Sequence, residues 1–167
     1  VHAADSAVLH VTSFRPSVIF GAGDSFTNRF AGLLRRTPLV FPLACPSARL
    51  QPVYVEDVAR AFAFALDSHH TFGQRYELCG PRAYTLAELV TLIGRLAGVE
   101  RHVLKLPPSL SKLQAMLLEF VPGKPFSLDN YRSLTFDSIC RRGLPAFFGI
   151  TPTPLETVAP AWLGPAR

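Results

Sequence analysis

The sequence predicts an α/β protein, and three observations predict it. Short apolar runs of strand length alternate with amphipathic stretches of helical period. Gly21-Ala-Gly23 stands between the first such run and the first helical stretch. Strand, glycine turn, helix is how an α/β sheet presents backbone groups to a ligand at the carboxyl end of a strand. The balance of 49% apolar and 17% charged residues over 167 positions is that of a chain able to bury a core.

Residues 1–7 are small and polar and read as a frayed entry. Val8–Phe14 is a short apolar run without clean alternation, which suits a strand buried on both faces. Pro16 cannot donate to a ladder, so regular pairing should change there. Ser17–Phe20 continues as a short extended segment into the turn Gly21–Gly23. Asp24 or Ser25 is a good N-cap. Phe26, Phe30, Leu33 and Leu34 then recur at helical spacing up to Arg36, with cationic Arg35 and Arg36 suiting the helix C-terminus. Pro38, Pro42 and Pro46 predict an irregular extended stretch.

Leu50–Val55 is strand-like and runs into a helix over 56–66. Glu56 and Asp57 suit the positive end of that helix, and Val58, Ala61, Phe62, Ala65 and Leu66 form its apolar stripe. His69, His70 and Gly73 make a loop, Arg75–Cys79 a strand, and Gly80-Pro81 its end. Thr85-Leu-Ala-Glu88 is a capping box. It opens a helix with Leu86, Leu89, Val90, Ile93, Leu96 and Ala97 on one face, closed by Gly98. His102–Leu106 reads as extended. Pro107-Pro108 starts a helix whose Leu110, Leu113, Leu117 and Phe120 are core or interface, broken at Pro122–Pro125. Ser127 caps a helix to Leu134, and 136–152 is loop-like. Thr153-Pro-Leu-Glu156 is a second capping box, opening a last helix towards Trp162 and Leu163.

Several function classes are excluded by what the chain lacks. The net charge is +5, but its 14 Arg and 3 Lys are spread from Arg15 to Arg167. A nucleic-acid binder gathers charge into a stripe with interleaved aromatics, so the reading is no nucleic acid. Arg35-Arg36 leaves contact with an acidic partner or a membrane surface open. No apolar run approaches the roughly 18–20 residues of a transmembrane helix. Cys45, Cys79 and Cys140 fit no zinc spacing and no disulfide framework, so they read as buried or neutral thiols in a reducing cytoplasm. His69-His70 lacks further ligands, so no metal is expected. Neither Ser17 nor Ser25 sits in a nucleophile elbow. The chain begins at Val1 and its one methionine is Met116, as expected of a processed start or a fragment.

Three ordered segments carry a resemblance. Arg15-Pro-Ser-Val-Ile-Phe-Gly-Ala-Gly-Asp24 resembles the Arg-Pro-x-x-Val-Tyr/Phe-Gly-Pro-Gly segment of the extended short-chain dehydrogenases, the NAD-dependent epimerase/dehydratase superfamily. Gln51-Pro-Val-Tyr-Val-Glu-Asp-Val-Ala59 resembles that superfamily's Val-Asp-Asp-Val-Ala element. Phe72–Pro81, followed by Thr85-Leu-Ala-Glu-Leu89, resembles its last sheet strand and the next helix. The tail, with Leu106-Pro-Pro and Pro122-Gly-Lys-Pro-Phe-Ser-Leu-Asp-Asn130, is similar to an atypical branch, the nucleotide-binding accessory subunit of respiratory complex I (alpha-subcomplex subunit 9 family) and its bacterial relatives.

The resemblance implies the C-terminal part of a Rossmann-like doubly wound sheet plus a small helix-rich substrate-side domain. Residues 8–98 are the superfamily-like core and 99–167 the helix-rich tail. The glycine motif Gly-x-x-Gly-x-x-Gly is absent, and so is Tyr-x-x-x-Lys. Tyr54, Tyr76, Tyr84 and Tyr131 are followed four residues on by Val58, Gly80, Glu88 and Thr135. Both motifs belong upstream of a stretch like Arg15–Asp24, so the cofactor-binding half is expected outside this chain. No catalytic residue is assigned, and the piece alone is expected to be inactive and poorly stable.

By the resemblance, Pro16, Ser17 and Val18 lie beside the nicotinamide of NAD or NADP in the full-length parent. The alternative is a strand-to-helix turn that needs glycine for geometry alone. Phe20, Gly21, Asn28, Gln51 and Tyr54 flank the substrate cleft, with Asn28 also readable as a solvent-facing helix residue. Asp57 reads as a helix initiator. The parent is then an NAD(P)-dependent oxidoreductase, epimerase or dehydratase acting on a small molecule. Alternatively it is a non-catalytic NAD(P)H-binding accessory protein of respiratory complex I or quinone-linked machinery, cytoplasmic and peripheral at the inner membrane.

Overall fold

The computed structural model describes residues 10–119 and 126–164. The expected frayed entry, Phe120 and the break at Pro122–Pro125 lie outside them. The elements run β1 (Ser13–Pro16), β2 (Ile19–Phe20), α1 (Thr27–Arg36), β3 (Val40–Leu43), β4 (Arg49–Leu50), β5 (Val53–Tyr54) and α2 (Val55–Leu66). They continue with β6 (Arg75–Leu78), β7 (Tyr84–Thr85), α3 (Leu86–Leu96), β8 (His102–Lys105), α4 (Pro108–Leu118), α5 (Leu128–Ser133), α6 (Leu155–Val158) and α7 (Pro160–Leu163). Single 3₁₀ turns occupy His69–Thr71 and Ala146–Phe148.

The strands pair two by two. β1 runs parallel to β6, β2 to β5 and β3 to β8, while β4 is antiparallel to β7. The parallel pairs are the α/β architecture expected. Two details differ from expectation. The stretch at Pro38–Pro46 is not wholly irregular, because Val40–Leu43 forms β3 despite Pro42. Among the described residues β3 pairs on one side only, and an edge strand tolerates a proline that cannot donate. The single piece expected at Leu50–Val55 is split at Pro52 into β4 and β5, which pair with different strands.

Two apolar clusters hold these pieces together. In the larger, α1 and α3 pack with the final helix pair: Leu34, Leu86, Leu89, Ile93 and Leu163 are all buried there, beneath Phe20 of β2. The stripe expected on α3 is the one that is buried, because its start is fixed by a true capping box. Glu88 N–H donates to Thr85 Oγ1 at 3.2 Å, and Thr85 N–H donates to Glu88 Oε2 at 2.7 Å. Donation from the Thr85 N–H, and then from its hydroxyl, holds the Glu88 carboxyl below its usual range. The smaller cluster sets Val58 and Ala61 of α2 against Val53, Leu78 and Phe148.

Elsewhere the apolar stripes are buried only in part. On α2, Val58, Ala61 and Ala65 face inward, but Phe62 is 50% and Leu66 82% exposed. On α4 the buried residues are Ser111 and Ala115, whereas Leu110, Leu113 and Leu117 are exposed. On the inward side Ser111 Oγ accepts from Cys45 N–H at 3.1 Å and donates to Leu106 O at 3.3 Å.

The second capping box does not form. Thr153 turns instead to Asp57, which is 1% exposed: its carboxylate accepts from Thr153 N–H at 2.7 Å and from Thr153 Oγ1 at 3.2 Å. Glu156 accepts from the Tyr84 hydroxyl at 2.7 Å. Asp57 thus fastens the C-terminal segment to the start of α2, a larger role than helix initiation. The cysteine expectation also fails. Cys79 and Cys140 are joined in a disulfide across 61 residues, with Cα atoms 6.0 Å apart, leaving Cys45 as the free thiol. Burial pushes the Cys45 thiol above its usual pKa.

Two outcomes follow for stability. Ile93→Ala and Leu89→Ala should each cost about 2–5 kcal/mol in urea denaturation, and Leu117→Ala within about 0.5 kcal/mol. The Tyr84 phenol is pushed from 10.0 up to about 12, first by burial and then by its bond to Glu156. Because the folded value is the higher one, the unfolded chain gives up this proton first as pH rises. The contribution is complete below pH 10 and lost between about pH 10 and 12. Thermal midpoints followed across that window should fall more steeply for the wild type than for Tyr84→Phe.

Candidate functional site

The candidate site is the passage from β1 through β2 into α1. Pro16 ends β1 and is exposed. Ser17 N–H donates to Leu78 O at 2.9 Å, and Val18 O accepts from Val53 N–H at 2.9 Å. These two bonds step the chain from the β1–β6 ladder to the β2–β5 ladder. The Val18 N–H has no partner among the described residues and is the donor this segment holds open. Phe20 is wholly buried and packs on Tyr54, ring centroids 5.6 Å apart. Burial and neighbouring Glu56 raise the Tyr54 phenol above its usual pKa.

The turn that follows is fixed by exclusion and by charge. A Cβ on Gly21 would meet Val55 Cγ1 at 2.6 Å, and Gly23 has φ +77°. Asp24 then closes the turn. Its N–H donates to Gly21 O at 3.1 Å, while its carboxylate accepts from Gly21 N–H at 3.0 Å and Phe26 N–H at 2.7 Å. The same carboxylate accepts from the backbone and the hydroxyl of Thr27. One side chain thereby serves both the glycine turn and the open donors of the first turn of α1. Neither residue expected as N-cap holds that position, which falls to Phe26; Asp24 reaches the first donors of the helix from two residues before it.

Thr27, wholly buried, passes this order onward. Its Oγ1 accepts from Trp162 Nε1 at 3.5 Å, and the Trp162 ring lies nearly parallel to Tyr54, centroids 6.4 Å apart. Arg35 at the far end of α1 donates to Leu163 O at 2.8 Å. The final helices are therefore tied to both ends of α1. No sequence signal points to Thr27, and Trp162 reads only as part of a last helix.

The site residues named from sequence divide into two groups. Ser17 and Gln51 come together, with Gln51 N–H 3.3 Å from Ser17 Oγ, but their side chains are engaged inside the fold. Ser17 Oγ donates to Ser138 O at 2.6 Å. Gln51 Nε2 donates to Gly80 O at 2.7 Å, and its Oε1 accepts from Cys140 N–H at 3.0 Å. Asn28 stands apart on the first turn of α1. Its Nδ2 is buried and has no hydrogen-bond partner among the described residues. A buried amide donor without a partner costs stability, so this is the side chain of the site whose hydrogen bonding is incomplete. Among the described residues no group of His, Cys, Asp and Glu is arranged to hold a metal ion.

The architecture has known counterparts. UDP-glucose 4-epimerase from Thermotoga maritima matches 93% of this chain with 45% of its own, at a TM-score of 0.59 and 17% identity. UDP-glucose 4-epimerase from Thermus thermophilus, solved in complex with NAD, matches 75% of this chain with 47% of its own, at a TM-score of 0.50 and 22% identity. At these identities the likeness defines the fold, which is Rossmann-like α/β. No family model matches the chain. In sequence it is 30% identical over 151 residues to mitochondrial NADH dehydrogenase (ubiquinone) 1 alpha subcomplex subunit 9 of Arabidopsis thaliana, covering 82% of this chain and 38% of that protein. The chain belongs to the family of the NADH dehydrogenase (ubiquinone) 1 alpha subcomplex subunit 9 proteins, and its fold is like that of the UDP-glucose 4-epimerases. It spans well under half the length of the curated relative it matches.

Removing the Asp24 carboxylate should loosen the turn. Asp24→Ala is expected to cost about 1–2 kcal/mol in chemical denaturation, and Asp24→Asn, which keeps a capping oxygen, about 0.5 kcal/mol.

Proposed function

We propose that Arg15–Asp24 is the nicotinamide-side floor of an NAD(P) site in a longer parent protein. Residues 8–98 are core and substrate-side elements, and 99–167 a helix-rich tail. The phosphate-binding strand and turn, and any Tyr-x-x-x-Lys pair, are supplied upstream. The observation that carries this reading is the open Val18 N–H before the Asp24-clamped turn, with the unpartnered Asn28 amide on the substrate side of that turn. A turn needed for geometry alone has no use for a buried donor left without an acceptor. The backbone of Pro16–Val18 would face the ring, the open Val18 N–H meeting an acceptor on the carboxamide. Phe20, Gly21 and Tyr54 would shape the substrate side, and Gln51 and Ser17 would set its backbone rather than touch ligand.

Titrating NADH and NADPH into the full-length protein by fluorescence should give a Kd at or below the micromolar range for one of the two. Asn28→Ala should leave that Kd within about twofold and weaken a substrate or substrate analogue about tenfold, the cost of one hydrogen bond of about 1.4 kcal/mol. A full-length protein that binds neither nucleotide overturns the reading.

A second reading concerns what the bound cofactor is for. The relative from Arabidopsis thaliana is named as a subunit of NADH dehydrogenase (ubiquinone), and 82% of this chain matches part of it. That favours a parent that holds NAD(P)H as an accessory part of quinone-linked respiratory machinery, peripheral to the membrane, over a freestanding epimerase or dehydratase. No helix among the described residues is long and apolar enough to cross a membrane. Co-purification of the full-length protein with membrane respiratory complexes, with slow cofactor turnover, supports the accessory role. Rapid turnover by a freely soluble monomer sinks it.

A further inference from the structure

Residues 135–142 form a strap without a buried side chain. None of them is buried, and Phe136 is 76% exposed. The chain is anchored on either side of the strap, Leu134 packing against the larger core cluster and Leu144 against the smaller. Between those anchors hydrogen bonds near the surface hold it. Ser138 N–H donates to Arg49 O at 2.8 Å, Ser138 O accepts from Gln51 N–H at 3.0 Å, and Arg141 N–H donates to Glu77 Oε2 at 3.0 Å. Water competes for bonds in such positions, and a segment with no buried apolar contact opens by local unfolding unless something else restrains it.

The restraint here is covalent. Cys140 of the strap is bonded to Cys79 at the end of β6. The two sulfurs stand in unlike places. Cys79 is 2% exposed, and the next residue, Gly80, lies so close to β4–β5 that a Cβ on it would meet Pro52 O at 1.9 Å. Cys140 is half-buried. One end of the bond is fixed in the fold, and the other is within reach of an incoming thiol.

The strap also bears on Pro16, Ser17 and Val18. Ser138 O accepts from Ser17 Oγ at 2.6 Å, and Cys140 N–H donates to Gln51 Oε1 at 3.0 Å. Ser17 N–H donates to Leu78 O, one residue before Cys79. The disulfide, the strap and the step from β1 to β2 therefore share the same few residues.

We propose that the Cys79–Cys140 disulfide is a redox-sensitive latch on the cofactor floor, opened by a dithiol reductant. The inference rests on the reading of residues 15–24 as part of an NAD(P) site. A thiolate of the dithiol attacks Cys140 Sγ, forming a mixed disulfide and breaking the bond to Cys79 Sγ, which leaves as thiolate and takes up a proton. The second thiol of the reductant gives up its proton and attacks the reductant's own sulfur in that mixed disulfide, so that Cys140 leaves as thiolate and is protonated in turn. Two electrons pass from the dithiol, which ends as a disulfide, to the cysteine pair, which ends as two thiols. The strap then lifts between Leu134 and Leu144. Ser17 and Gln51 lose the bonds that set the floor, and the hold on the nicotinamide end of the cofactor weakens until the pair is oxidised again.

The test compares the full-length protein oxidised, reduced with dithiothreitol, and re-oxidised with oxidised glutathione. Maleimide labelling and peptide mapping should find Cys79 and Cys140 both free in the reduced, folded protein. Hydrogen exchange should speed at least about tenfold at Ser138, Cys140 and Arg141 while α3 keeps its protection. In the same samples NADH or NADPH, whichever binds, should bind at least about threefold more weakly after reduction and regain its affinity on re-oxidation. Cys79→Ala/Cys140→Ala should bind as weakly as the reduced protein and be indifferent to dithiothreitol, which excludes other thiols, Cys45 among them, as the cause. The latch alone is overturned if the pair resists reduction in the folded protein, if the strap amides do not respond, or if the nucleotide binds equally in both states. It is overturned too if α3 loses protection along with the strap, because the bond is then a support of the whole fold. Binding of neither nucleotide in any state overturns the cofactor reading itself, and the latch with it.

Discussion

The carboxylate of Asp24 is the constraint on which the rest of the candidate site depends. A chain leaving a buried strand and entering a helix must do two costly things at once: reverse direction in little space, and leave the first helical N–H groups without partners. Gly21 and Gly23 supply the reversal, one because Val55 leaves no room for a Cβ and the other because it adopts φ +77°. Neither glycine can satisfy a donor. Asp24 does so for Gly21, Phe26 and Thr27 together. The direction of α1, the placement of Asn28 on it and the docking of Trp162 on Thr27 all follow from where that one carboxylate sits.

A second constraint comes from a segment without regular structure of its own. Residues 137–141 lie along β4 and the end of β6. Ser138 bridges Leu50 in parallel register, Arg49 N–H donates to Asp137, and Cys140 is bonded to Cys79. The segment does the work of an additional strand, and it occupies Ser17 and Gln51 in the process. This decides which residues of the site remain open to a ligand. A polar side chain whose donors and acceptors are already satisfied inside the fold offers little to a ligand that must displace them. Ser17 and Gln51 are such residues, and the unpartnered Nδ2 of Asn28 is the contrary case.

How far the sequence could be read follows from the range of each interaction. The strand–turn–helix passage, the capping box at Thr85–Glu88 and the cap at Ser127 were legible because donor and acceptor lie within three or four residues. The four features that escaped all join residues far apart: the disulfide across 61 positions, Asp57 with Thr153, Tyr84 with Glu156, and Trp162 with Thr27. Thr153-Pro-Leu-Glu156 is the instructive failure. Its spacing is correct for a capping box, but both side chains found stronger partners in buried places. On α4 too the residues that face in, Ser111 and Ala115, are not the apolar stripe, and the hydrogen bond from Cys45 to Ser111 joins positions far apart in the chain.

The two faces of the β1–β6 ladder bear on how the chain sits in a larger protein. A parallel ladder of two strands leaves backbone donors and acceptors open on its outer edges, and among the described residues each ladder here has two strands. Those edges call for neighbouring strands, in keeping with a parent in which further elements continue the sheet. The face bearing Arg15, Arg75 and Glu77 calls for something else. The register puts Ser13, Arg15, Arg75 and Glu77 on that face, and an apolar helix laid over it would desolvate two guanidinium groups with one carboxylate. The edge can accept more protein, whereas the charged face must stay open to water and anions or meet a surface of opposite charge. The same two strands therefore set the direction in which the fold extends and the direction in which it remains available for binding.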